Sequence, residues 1–590
     1  MVWNDKDALT PQNLNSRSGL VFNVKDPDFG ALGDGTTDDT AAIQAAIDAA
    51  NAAGGGIVFL PPATYSVAAT TAATPVFTGR SNVTIEGGGR TTVITPTAAV
   101  AIEDVFHFAS RTNFGVRDLK IDLSVETSAF EAGGFGIKIL NNSNNFTLQN
   151  LQVVRTNSAT FAGTDGIYLS AETGEVIEWG QISNIYLEGL GRQGLTLNQG
   201  CEHLTVSDIH GKDINANNGS LVHLEVGGSN PANKYNTISN CSAKNCSQAS
   251  TLIGNLEHNT VSNFTAFDCQ AIAFNIGGAA GRVNIGNRYI GCTVKTSVGT
   301  GFDVAGAGVS NAQLIGCYAE NCGGSGIIAG AAHTLVTGAT VIDCSTTLGG
   351  IRTDTGTDPV TIVGAVVRGI TEAAGVHIES SATGCIVSGI ETENCLQGVR
   401  ASGPNTQVSN VFADGNSIAD SAVVRITADD CIIHGLSGTG LDRILTVEAG
   451  LAGTMYSGLD LSVAGIIAFS ADADFFAKNW FSNLGTSLDR VRIIATSTVL
   501  TVIEGYSDAS YVIQGTSGNV TMTLPVAEIG MTFRFFKRDT DDLTIDANGS
   551  EEINNAANIA NTSSEVTAMI AMTCVEAAEW IITEREGTWA

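Results

Sequence analysis

The stretch GALGDGTTDDTAAIQAAI, residues 30–47, places two adjacent aspartates, Asp38 and Asp39, between a glycine-rich turn and an alanine-rich run. From there to the glycines at 54–56, apolar residues recur at 42, 43, 46, 47 and 50, the pattern of an amphipathic helix. Acidic side chains at a helix start accept hydrogen bonds from free backbone N–H groups and complement the dipole. The two aspartates therefore read as structural. A strand, IVFLPP, follows at once. Such a helix suits the open end of a stacked-sheet protein, whose first edge would otherwise be exposed.

The rest of the chain supplies the stack. Short strand-like segments begin at GIKIL (136), GIYLS (166), GLTLN (194), LVHLE (221), TLIGN (251), AFNIG (273), GFDVA (301), GIIAG (326), GIRTD (350), GVHIE (375), GVRAS (398) and VVRIT (423), about 26 residues apart. Each unit holds two further short strands, as in TISNCSAKNC and LIGCYAENC, and helical periodicity is missing. A unit of three short strands cannot bury its own face, so it reads as one coil of a solenoid. The fold expected is all-β: a right-handed parallel β-helix with an N-terminal capping helix. A leucine-rich repeat has an overlapping period, but its regular leucine pattern is not present.

Aligned coils put Cys246, Cys269, Cys322, Cys344 and Cys395 at one equivalent position, with Ser297 in another coil. Free cysteine behaves as a small buried hydrophobe, and like-on-like stacking is the reading taken. No CxxC pair occurs among the twelve cysteines, and no metal or cofactor site is expected.

Composition narrows the partners. Charged residues make up 15% of the chain, against about 25% in ordinary domains. The formal charge of −30 repels phosphates and anionic lipid, so neither nucleic acid nor membrane insertion is expected. No apolar run is long enough to span a bilayer. The N-terminus lacks the basic and apolar regions of a signal peptide.

The segment FNVKDPDFGALGDGTTDDTAAIQAAIDAANAAGGGIVFLPPATYSV resembles the N-terminal signature of the pectate-lyase-like right-handed parallel β-helices. Residues 511–553, YVIQGTSGNVTMTLPVAEIGMTFRFFKRDTDDLTIDANGSEEI, are similar to a small β-sandwich that ends many bacteriophage fibres and tailspikes. Together they look like a phage tailspike or receptor-binding protein. That resemblance implies a parallel homotrimer in the virion tail, assembled in the host cytoplasm, that binds and often depolymerises a host surface polysaccharide. It also implies attachment to a phage tail or adaptor protein through the N-terminal arm. The expected division is an arm at 1–20, the cap and first coils at 21–135, twelve coils at 136–445, a β-rich transition at 446–505 and a C-terminal sandwich at 506–590.

A glycan site needs exposed aromatics and positioned carboxylates. The longest coils are the early ones, and their loops carry Phe161, Trp179 and Tyr235 with Glu172, Glu175, Glu178 and Asp213. Strand alternation turns Tyr168, Thr196 and His223 outward, then Ser170, Asn198 and Glu225. Glu178 and Glu225 are the expected catalytic carboxylates, with His223 as the base if the reaction were a lyase's. Tyr168, Trp179, Tyr235, Asn198 and Asp213 are the expected sugar contacts. Cations nearby are few (Lys138, Arg192, Lys212), which favours hydrolysis of a neutral glycan over a lyase reaction. A spike that only binds its receptor and a cellular polysaccharide-degrading enzyme are the alternatives. A second cluster, Arg352, Asp354, His377, Glu379 and Arg400, sits on short consecutive coils, where charges of alternating sign more often neutralise one another.

Overall fold

The fold was obtained as a computed structural model. It describes residues 20–451 except 69–73, 97–103, 125–133, 156–163, 215–218, 228–229, 346, 355–358, 416–417, 420, 442 and 449–450. Between 455 and 589 it describes the strands given below and parts of their connections. The chain divides into two units, Met1–Arg352 and Thr353–Ala590.

The first unit opens with the expected helix, α1 (Thr40–Ala52), which buries Ile43, Ala46, Ile47 and Ala50. Asp39 is its N-cap residue but makes no capping bond. Its carboxylate turns back to accept the backbone N–H groups of Leu32 (2.7 Å) and Gly33 (3.0 Å), closing the glycine turn. Asp38 takes the neighbouring role, accepting from the N–H and hydroxyl of Thr40. The aspartates are structural as expected, but Asp39 stabilises the loop rather than the helix dipole.

Beyond the cap, each coil repeats one path. One coil begins with the strand Asp165–Ser170, passes through the short Ile177–Glu178, and continues along Gln181–Glu188, with Arg192 opening the next. Corresponding strands of successive coils pair in parallel, so the first strands form one continuous face, here sheet A. Its members are Asp104–Ala109, Phe135–Leu140, Asp165–Ser170, Gln193–Leu197, Ser220–Val226, Gln248–Gly254, Phe274–Gly277, Phe302–Ser310 and Ile327–Ala332. All twelve strand starts read from the sequence fall on, or next to, observed strands.

Inward residues stack like on like: Ile137, Ile167, Leu195 and Val222 align in register. Phe108, Phe114 and Phe146 form an interior ring stack, with centroids 4.2 and 5.3 Å apart. Buried Asn236, Asn259 and Asn287 form an amide ladder, each Nδ2 donating to the next Oδ1 at 2.9 Å. These bonds offset the cost of taking the amides out of water. The cysteine column is present too: Cys269, Ser297 and Cys322 are direct register partners, and all twelve cysteines are buried and none forms a disulfide.

The corners follow from backbone sterics. One corner per coil needs a left-handed residue, supplied by Asn82, Asn113 and Asn145, then later by Gly286 and Asn311. Asparagine and glycine enter that region most easily. Between them, four coils place Trp179, His203, Tyr235 and His258 at the same corner, with φ of 54–56°.

In the second unit the same parallel pairing joins Ala374–Ile378, Gln397–Ala401, Ala422–Ile426 and Arg443–Val447. It runs on through Met455–Leu459, Ala468–Phe469 and Trp480–Ser482, inside the segment expected as a transition. A six-stranded and a four-stranded sheet follow, starting at Arg490–Ile494 and Thr498–Val499. Their early strands pair in parallel, while Met569–Glu576 and Asn558–Asn561 pair antiparallel with their neighbours. Among the described residues no helix is long and apolar enough to cross a membrane.

Candidate functional site

On the outer side of sheet A, His107, Lys138, Tyr168, Thr196, His223, Thr251, Asn275 and Asp303 form one row across eight strands. Three of the expected site residues, Tyr168, His223 and Glu225, stand on this face, and Asn198 lies at the end of its strand. The alternation is as read from the sequence, but Thr196, His223 and Thr251 are buried, so the row is covered at its middle and partly exposed on either side.

A polar network ties the row together. Asp165 is fully buried, and Arg192 on the next coil grips both its oxygens at 2.8 and 2.5 Å. The Thr196 hydroxyl donates to Asp165 at 2.8 Å. Burial pushes the Asp165 carboxyl above its ordinary value against the pull of Arg192, whose own charge is held more firmly by the carboxylate. The Arg192 guanidinium sits 5.9 Å over the Tyr168 ring, which also stacks on Phe135 at 4.5 Å. Asn198 Nδ2 donates to the Tyr168 oxygen (2.6 Å) and to Ser170 Oγ (3.2 Å). Burial raises the Tyr168 phenol, keeping it protonated.

His223 Nε2 lies 3.3 Å from Glu225 Oε2. That bond holds the Glu225 carboxyl below its usual range despite partial burial, helped by the charges of Arg192 and Arg282. The other ring nitrogen of His223, Nδ1, is buried and has no hydrogen-bond partner among the described residues. The sequence reading missed the far end of the row. Asp104, fully buried, lies 2.5 Å from His107 Nδ1 and 3.7 Å from Lys138 Nζ. The spacing was there to be seen, since Asp104 and His107 occupy the register positions of Asp165 and Tyr168.

Glu178, Trp179 and Tyr235 belong to a different line, at the corner that follows the short strands. Glu178 pairs in register with Asn144 and Glu202, and Glu202 with Lys234, which meets Glu257 at 3.4 Å. Trp179, His203, Tyr235 and His258 stack nearly parallel, with centroids 4.8, 5.3 and 5.7 Å apart. Trp179 and Tyr235 are about half exposed, but both faces of Tyr235 are covered by imidazoles. Trp179 ends the stack, with Asn145 on the coil before it. The two histidines were not read from the sequence. Asp213 lies elsewhere on its coil, accepting from Asn245 at 2.7 Å and 3.7 Å from Lys212. Glu175 accepts from Asn142, Glu172 is exposed, and Phe161 lies outside the described residues.

Of the second cluster, Arg352 falls in the first unit and Asp354, His377 and Glu379 in the second. His377 Nδ1 is 3.5 Å from Glu379 Oε1, and its Nε2 is 3.4 Å from Ser402 Oγ. The Glu379 N–H donates to Thr353 Oγ1, and Arg400 is the register neighbour of His377. Arg425, next in that column, is ion-paired to Glu448. Among the described residues no group of three histidine, cysteine or acidic side chains could hold a metal.

The family described as rhamnogalacturonase A/epimerase, pectate lyase-like, matches residues 21–275. The mannuronan C5-epimerase AlgE6 of Azotobacter vinelandii is 50% identical over 112 residues, 18% of this chain and 12% of that protein. Alginate lyase 7 of the same organism is 40% identical over 123 residues, 20% of this chain and 14% of that protein. The chain thus spans only about an eighth of the length of these relatives. Among solved structures, the tailspike protein of Escherichia coli bacteriophage HK620, in complex with a pentasaccharide, is 12% identical with a TM-score of 0.48, covering 80% of this chain and 81% of that one. The AlgE6 A-module is 20% identical with a TM-score of 0.36, covering 74% of this chain and 99% of that one. Residues 21–275 form a parallel β-helix and are the part of this chain that matches the pectate-lyase-like family model.

Proposed function

We propose that the protein binds and modifies a polysaccharide along the outer face of sheet A, by proton transfer at an acidic sugar. The observation that carries this reading is the His223–Glu225 pair beside the Asp165-anchored Arg192. Hydrolysis needs a protonated carboxylic acid facing the glycosidic oxygen. Glu225 is held ionised, and the raised carboxyl of Asp165 is fully buried beneath Arg192. The geometry therefore favours a lyase or epimerase reaction over the hydrolysis that the sparse cations suggested.

In this reading the Glu225 carboxylate, 45% exposed and oriented by His223, takes the proton next to the sugar carboxylate. Arg192 and Asn198 bind the carboxylate, whose negative charge grows in the transition state. Tyr168, kept protonated by burial, donates to the departing oxygen. Trp179 offers its end face to a neighbouring sugar, and Glu178 accepts from sugar hydroxyls. Asp213, already engaged by Asn245 and Lys212, takes no part.

The wider role is that of a receptor-binding spike of a bacteriophage, a homotrimer attached to the tail through its N-terminal arm. The likeness of residues 511–553 to phage fibre termini supports it. A cellular polysaccharide-modifying protein is the second reading, favoured by the 50% identity to an Azotobacter epimerase over 112 residues.

The test is incubation with mannuronan, polygalacturonate and neutral bacterial surface polysaccharides. Three quantities are followed: polymer length, ultraviolet absorbance of unsaturated sugar ends, and uronate composition. Unsaturation or altered composition of a polyuronate, lost in Glu225→Gln, is expected. New reducing ends on a neutral glycan without unsaturation would mean hydrolysis. Co-elution with an unchanged polymer would leave a binding spike.

A further inference from the structure

At the other end of the same row, four strand steps or about 19 Å from His223, stands an arrangement that the reading above does not use. Asp104 is 0% exposed, and its Oδ2 lies 2.5 Å from His107 Nδ1. A buried carboxylate at that distance fixes the imidazole tautomer, with the proton on Nδ1. Nε2 is then left as a bare lone pair. It makes no hydrogen bond among the described residues, and the His107 side chain is 20% exposed on the outer face.

Lys138 is the register neighbour of His107 on the next coil. Its ammonium is fixed by Asp104 Oδ1 at 3.7 Å and by the Phe135 ring at 4.9 Å. Phe135 in turn stacks on Tyr168. Base, orienting carboxylate and cation thus occupy adjacent strands and are held by packing. The same register positions two coils on hold Asp165 with Arg192. His223 differs, because its Nε2 is already taken by Glu225 and its Nδ1 is buried.

We propose that His107, oriented by Asp104 and accompanied by Lys138, is a second proton-transfer centre on this face. This rests on the reading that an acidic glycan lies along sheet A. His107 Nε2 takes the proton from the carbon beside the sugar carboxylate: the N–H bond forms, the C–H bond breaks, and the electron pair moves into the carboxylate. Lys138 faces the charge so formed. The pair then returns to expel the glycosidic oxygen on the adjacent carbon, which takes the proton from the imidazolium. Asp104 is a positioning residue, and His107 touches the substrate.

The test uses the full chain with 15N-labelled histidine, its signals assigned by comparison with His107→Gln and His223→Gln. Wild-type His107 is expected to show the Nδ1–H tautomer, lost in Asp104→Asn. Its Nε2 signal should shift when oligomannuronate or oligogalacturonate is added. If the His223 signal shifts and the His107 signal does not, the second centre is overturned and the proposed function stands. If neither shifts with either oligomer, both are overturned. On a polymer that is turned over, His107→Gln should lower kcat at least tenfold. Asp104→Asn should displace the alkaline or acid limb of the pH profile, which a purely structural role would leave in place. An unchanged rate in His107→Gln overturns the proposal.

Discussion

Arg192 reaches across one strand step to bind both carboxylate oxygens of Asp165, which has no exposure of its own. The value of such a pair lies in its completeness. Removing one partner from a fully buried pair costs about 3–5 kcal/mol, because the other charge is left stranded. The Arg192 side chain is one-third exposed, so water recovers part of that cost. Arg192→Leu should therefore destabilise by about 2–3 kcal/mol, and Asp165→Leu combined with it should recover most of the loss. Urea unfolding of the two single variants and the double checks this. Simple addition of the two losses would contradict it.

The Glu225–His223 contact sets a pH dependence. The folded-state value of Glu225 lies below the unfolded one, so its stabilisation is present above the ordinary carboxylate range, near about 4.3, and is lost as the pH falls through the folded value. Glu225→Gln should lower the thermal midpoint at pH 6 but not at the acid end of the titration. A midpoint difference that stays constant with pH would contradict the assignment.

The corner stack balances strain against packing. A left-handed residue with a side chain costs roughly 1–2 kcal/mol, and a stacked aromatic pair returns about 0.5–1.5 kcal/mol. Trp179→Asn removes both, so stability should change by no more than about 1 kcal/mol. Glycan affinity should fall at the same time, and calorimetric titration with the responsive polymer reads both effects apart. Unchanged affinity would remove Trp179 from the site.

Asp39 offers a test of the capping region. Its two carboxylate bonds satisfy the N–H groups of Leu32 and Gly33 at a site only 2% exposed. Asp39→Ala should cost about 1–3 kcal/mol, read by thermal unfolding, with no direct effect on glycan chemistry. Loss of turnover at full stability would contradict the structural role and make Asp39 a catalytic candidate.

Burial pushes the thiols of Cys246, Cys395 and Cys431 to about 11 and those of Cys241, Cys269 and Cys292 to about 12. Only the thiolate reacts readily. These six should resist iodoacetamide at pH 8 in the native protein and react once it is unfolded, as peptide mass mapping would show.

The coil was legible because it is written in repeated local signals: alternating apolar residues, and asparagine or glycine wherever the corner needs a left-handed backbone. Trp179, His203, Tyr235 and His258 broke that corner rule, so nothing in local propensity announced their stack. The site was legible only in part. Alternation turned Tyr168 and His223 to one face, but the buried carboxylates beneath that face were invisible until register aligned Asp104 with Asp165. Arg192 was seen only as one of a few scattered cations, because its partner lies 27 residues away on the coil before. Glu178 and Glu225 were paired because both lie on the long early coils, whereas the register sets them on different strand ladders.

The most direct measurement follows mannuronan and polygalacturonate incubated with wild-type protein and with Glu225→Gln, reading unsaturated ends and uronate composition over time. The account predicts a change in one polyuronate that the variant fails to produce. Shortening of a neutral glycan with no unsaturation, or a change in polyuronate that Glu225→Gln produces equally well, would contradict it.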